Sequence, residues 1–107
     1  MSPPTTTTPW TWSADVLAFA TEQQVAAYLD PLLEVTRQIF PTAFSLKVYV
    51  DEDPEIRDDR HIVFEVRVSR VDVPDFRAAK RAWHDELFRI CPAPLACTFR
   101  LTLIRVP

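Results

Sequence analysis

Hydrophobic positions recur along this chain with two periods, and the changes of period divide it into five elements. Over residues 14–40, Val25, Leu29, Leu32, Thr36 and Ile39, with Tyr28 and Val35 beside them, fall at the spacing of one helix face. Ser13 suits the N-cap, and Asp15 puts a carboxylate in the first turn, where the helix dipole favours it. Thr21 to Gln24 has the form of a second capping box, T-x-x-Q. Pro31 falls inside the pattern, so the segment reads as one amphipathic helix that kinks or restarts at Asp30-Pro31 and ends at Pro41.

The period then shortens to two. From Ala43 to Asp51, Phe44, Leu46, Val48 and Val50 alternate with Ser45, Lys47, Tyr49 and Asp51, which predicts a strand with one buried face. From His61 to Arg70, Ile62, Phe64, Val66 and Val68 are expected inside, with Val63, Glu65, Arg67 and Ser69 outside. The pair reads as an antiparallel hairpin joined by Glu52 to Arg60. Asp72-Val73-Pro74 is expected to open a helix with the stripe Phe76, Ala79, Trp83, Leu87 and Ile90. A proline-rich loop from Cys91 to Cys97 ends it, and Thr98 to Arg105 reads as a last strand with Phe99, Leu101 and Leu103 inside.

The order α-β-β-α-β predicts an α+β two-layer sandwich, with a three-stranded mixed sheet and two helices on one face. A right-handed crossover through the second helix makes the third strand parallel to the second. In order of elements the chain resembles a ferredoxin-like unit lacking its first strand. It also resembles small αβ folds that bind RNA or partner proteins, and this likeness is one of topology alone, without a motif. Residues 13–107 are expected to form a single α+β domain. Residues 1–12 read as a flexible polar tail ending in Pro9-Trp10-Thr11-Trp12. The two indoles are expected to dock beside the first helix as a hydrophobic staple, or else to anchor a partner.

Composition narrows the functions. Glycine is absent and there are 10 prolines, so turns are expected from Pro, Asp, Ser and Thr. Phosphate-cradling loops that need glycine, such as a Walker loop or a dinucleotide fingerprint, are excluded in their usual form. No apolar run approaches the about 20 residues of a membrane-spanning helix. The start of the chain lacks the basic and apolar regions of a signal peptide, so the cytoplasm is the expected location. Residues 1–65 carry 11 acids and 4 bases, whereas residues 66–107 carry 4 acids and 8 bases. The net charge of −3 speaks against general nucleic-acid binding, and the asymmetry suits a partner of complementary charge.

The most unusual segment is the hairpin connection, where Asp51, Glu52, Asp53, Glu55, Asp58 and Asp59 stand close to His61. Such a cluster reads as a solvated acidic loop or as a docking surface for a basic partner. It lacks the glycine of a calcium-binding loop, although a metal-dependent enzyme using residues 51–61, with His61 as ligand or base, is an alternative. His84 reads as a solvated helix residue, and no serine stands at the spacing of a nucleophile. Cys91 and Cys97 fit neither a redox pair nor a zinc knuckle, and read as free thiols, with a loop-closing disulfide as the alternative. On the outer sheet face, Lys47, Tyr49, Arg67 and Arg100 are expected to pair with Glu65, or to offer a basic-aromatic platform to RNA. No residue is assigned a catalytic or metal-binding role and no cofactor is implied. The leading expectation is a non-enzymatic interaction domain or accessory subunit, antitoxin-like or immunity-like, binding another protein or itself through the acidic loop and the sheet edges.

Overall fold

The computed structural model describes residues 10–52, 55 and 60–106. They form an α+β domain with helices α1 (Ala14–Glu22), α2 (Leu29–Ile39), α3 (Phe76–Ile90) and α4 (Ala93–Ala96), and strands β1 (Ser45–Glu52), β2 (Arg60–Ser69) and β3 (Phe99–Val106). The sheet is mixed, in the order β1-β2-β3. β1 runs antiparallel to β2, and β3 runs parallel to β2. No helix among the described residues is long and apolar enough to cross a membrane.

The first helical segment breaks at Gln23 to Val25, not at Pro31. Ser13 caps α1 through its hydroxyl, which accepts from the Val16 amide at 3.3 Å. At the other end the Val25 amide reaches the Ala20 carbonyl at 2.8 Å and the Gln24 amide reaches the Thr21 carbonyl at 3.1 Å. These two bonds make a Schellman motif, sealed by burial of Ala20 and Val25. The motif needs a left-handed residue, and in a chain without glycine Gln24 takes it, with φ 62°. A side chain in that conformation costs about 1–2 kcal/mol. Thr21 to Gln24 therefore ends a helix, where its capping-box form had predicted a start. A 3-10 turn, Ala26–Tyr28, leads into α2, and Pro31 lies in the first turn of α2, where it removes no helical hydrogen bond.

Other boundaries also differ from expectation, and a short helix, α4, stands in the expected loop between Cys91 and Cys97. β1 begins at Ser45, and Phe44, expected inside, is 66% exposed. β1 extends to Glu52 and β2 starts at Arg60, so Asp51 and Glu52 belong to the ladder opposite His61 and Arg60. The cap of α3 is Asp75, whose carboxylate accepts from the Ala78 amide at 3.0 Å, while Asp72 to Pro74 lie outside the helix.

The core confirms the inward faces of β2 and β3. Ile62, Phe64, Val66 and Val68 are fully buried, and Phe99, Leu101 and Leu103 nearly so. They share one cluster with Val16 and Phe19 of α1, Leu29, Leu32 and Leu33 of α2, and Trp83 and Leu87 of α3. Phe64 lies at its centre, with ring centroids 5.9 Å from Trp83, 6.3 Å from Phe99 and 6.4 Å from Trp12. Both tryptophans before α1 are half-buried against this cluster, which includes Val16, Phe19 and Ala20 of α1. The Trp12 indole donates to Asp30 in the first turn of α2 at 2.8 Å, and the Arg37 guanidinium lies over the Trp10 ring.

One polar side chain is buried among the described residues: Thr36 of α2. Its hydroxyl accepts from the Trp83 indole at 2.9 Å and donates to the Leu32 carbonyl at 2.7 Å. This ties α3 to α2 through the core. In Thr36→Val the shape is kept but the Trp83 N–H loses its acceptor, so chemical denaturation is expected to show a loss of about 1–3 kcal/mol. Thr36→Ser, which keeps the hydroxyl, should lose less.

Candidate functional site

Alternation along the strands puts Lys47, Tyr49 and Asp51 of β1, His61, Val63, Glu65 and Arg67 of β2, and Arg100 and Thr102 of β3 on the face away from the core. The register sets them in rows: Ser45 with Arg67 and Ile104, Lys47 with Glu65 and Thr102, Tyr49 with Val63 and Arg100, and Asp51 with His61. The register thus sets Lys47, Tyr49, Arg67 and Arg100 on one face, in three successive rows. Val63, expected exposed, is 4% exposed because it sits in the central strand between Tyr49 and Arg100.

Glu65 organises the middle of this face. Its Oε1 accepts from the Tyr49 hydroxyl at 3.2 Å, and its Oε2 lies 4.0 Å from the Arg67 Nε. Partial burial, then the neighbouring Glu65 carboxylate and the hydrogen bond to it, and last the charge of Asp51, push the Tyr49 phenol above its ordinary value. Each disfavours a phenolate at this spot.

Of the acidic loop, Asp51 and Glu52 lie at the end of β1 and Glu55 is an exposed turn residue, while Asp53, Asp58 and Asp59 lie outside the described residues. Glu52 stands 3.9 Å from Arg60, whose guanidinium packs over the Phe19 ring at 4.4 Å and ties the hairpin end to α1. Among the described residues, no three His, Cys, Asp or Glu side chains come together as metal ligands would.

Among the described residues β1 and β3 are the edges of the sheet, and they differ. Phe99, Leu101 and Leu103 of β3 are buried, whereas Leu46, Val48 and Val50 of β1 are only half-buried, with Phe44 exposed at the strand's start. Along β1 the burial of the inner face is incomplete. Alternation in the sequence identifies these residues as inward but carries no signal of which strand the helices cover less.

A second feature escaped sequence reasoning. An open cleft of about 340 Å³ is lined by His61, His84, Leu87, Phe88, Cys97 and Arg100, among others. It brings both histidines of the chain to one place from β2 and α3. The His84 Nδ1 donates to the Lys80 carbonyl at 2.8 Å, one turn back, and its ring packs edge-on to Trp83. Both cysteines are free thiols, as expected, with Cys91 buried and Cys97 exposed. Burial, with a smaller contribution from Cys97, raises the Cys91 thiol above its ordinary value, so it is a poor nucleophile. Most of the lining comes from α3 to the start of β3, and it is His61 of β2, 23 positions before His84, that no local spacing places there.

The Tyr49–Glu65 contact gives a signed pH dependence. A raised phenol pKa means that the bond's contribution to stability is fully present below the unfolded value and is lost as pH rises through the folded one. Glu65→Gln should bring the Tyr49 titration, followed by phenolate absorbance against a Tyr49→Phe reference, back towards the ordinary value without reaching it, since burial remains. An unchanged midpoint would contradict the assignment.

No family model matches the chain, and neither does any curated protein or any solved structure.

Proposed function

We propose that this chain is a small non-enzymatic interaction domain or accessory subunit, antitoxin-like or immunity-like, which acts by binding another protein or a second copy of itself. The observation that carries the reading is the half-buried inner face of β1, Leu46, Val48 and Val50, beside exposed Phe44 at a sheet edge. A strand with unmet apolar burial and an unpaired edge gains both buried area and backbone hydrogen bonds when another strand is laid along it. Asp51 and Glu52, at the end of β1, lie on the same edge strand and would steer a basic partner towards it. The cytoplasm is the location that goes with this reading.

The finer fold reading belongs to the same proposal: two layers, with the helices on one face of the sheet, in the manner of a ferredoxin-like unit lacking its first strand. The shared cluster of inward sheet residues with α1, α2 and α3 supports it. The RNA-binding alternative fares less well. The Glu65 carboxylate occupies the middle of the platform and holds the Tyr49 hydroxyl, so a phosphate backbone would meet a negative charge where it needs a positive one. A metal-dependent enzyme built on residues 51–61 rests on carboxylates of which half lie outside the described residues.

Native mass tests the proposal. In an extract of cells that make it, the chain should migrate well above its 12.3 kDa. A mass of 12.3 kDa both in the extract and after purification would overturn the reading.

A further inference from the structure

Resting on the interaction reading, we propose that the partner at β1 is a second copy of this chain, joined β1 to β1 in antiparallel fashion with Tyr49 on the two-fold axis, so that two three-stranded sheets become one of six. The pattern along β1 is self-complementary about Tyr49. Lys47 and Asp51 lie two residues either side of it, on the same outer face, and both are exposed. Reversal of the strand about Tyr49 sets Lys47 of each copy opposite Asp51 of the other, twice across the join. On the inner face the same reversal sets Val48 opposite Val50 of the other copy, also twice, and so covers two of the three aliphatic residues that the monomer leaves half-buried, with Leu46 opposite Glu52 at the ends of the join. A slip of one residue would turn inner side chains to the outer face. A slip of two in one direction would set Lys47 opposite Tyr49 and lose the charge pairing, and in the other it would leave Asp51 opposite Tyr49.

The other edge has no such pattern. β3 carries Arg100 and Arg105 and no acid, so no register of two copies joined there sets opposite charges across the join. A β1-to-β3 join is head-to-tail and builds a ring or an open filament, whereas a β1-to-β1 join uses one patch twice and stops at two.

A charge-swap set read by size-exclusion chromatography with light scattering tests this. The purified wild-type chain should have twice the 12.3 kDa monomer mass at micromolar concentration. Lys47→Asp and Asp51→Lys each turn two attractive contacts into repulsive ones, and each should weaken the dimer about tenfold or more. The double variant K47D/D51K restores opposite charges across the join and should recover the dimer. It carries the same intrachain changes as the single variants, including an aspartate opposite Glu65, so recovery separates the join from any effect on folding. Single variants that remain as dimeric as wild type, or a double variant that stays monomeric, would overturn the proposal. A wild-type chain that is monomeric when pure but heavy in the extract would overturn the homodimer and leave the broader interaction reading standing.

Discussion

The hydrogen bond from Trp83 to Thr36 is the constraint on which the rest of the packing depends. An indole fully inside a protein needs an acceptor, and here the acceptor is a threonine whose own proton is spent on the Leu32 carbonyl one turn back. Each group has one geometry in which it is satisfied, and leaving the indole unsatisfied would cost about 1–3 kcal/mol. The bond therefore fixes both the rotation of α2 and the position of α3 against it. With Trp83 set, Phe64 of the central strand packs beneath it, and Phe99 and Trp12 pack around Phe64. A polar contact thus specifies how an otherwise apolar core is assembled.

That arrangement has a consequence at the sheet. The inward residues of β2 and β3 are buried, while those of β1 stay half-buried, and Phe44 beside them is exposed. The acidic end of the hairpin is drawn in by Arg60, which touches Glu52 on the strand and Phe19 on α1. The outer face is tied to itself through Glu65, which engages both Tyr49 and Arg67. What remains unsatisfied is the β1 edge, and the proposed function follows from that imbalance.

Much of this fold is legible in the sequence where the physics is local. Alternation identified the inward set of β2 and β3, and the helical stripe found Trp83 and Leu87. Ser13 was readable as a cap because its hydroxyl acts three residues away. Elsewhere local rules gave the wrong answer for identifiable reasons. Thr21 to Gln24 looks like a helix start, but burial of Val25 and Ala20 makes it a helix end, at the cost of a left-handed glutamine. Asp72-Val73-Pro74 looks like a cap, but Asp75 performs the task. Phe44 has the right parity for the core and lies one residue outside the ladder. Val63 has the parity of a surface residue and is shielded by neighbours from both adjoining strands. The members of the outer face were legible from parity, whereas the central place of Glu65, the cleft with both histidines and the difference between the two edges all depend on which strands lie side by side.

Amide hydrogen exchange along the two edge strands, measured on the purified chain as its concentration is raised, tests the central claim that β1 is the edge made to be covered. The account predicts that the amides of β1 become progressively more protected with concentration while those of β3 do not change. Equal exchange at both edges, independent of concentration, would contradict it.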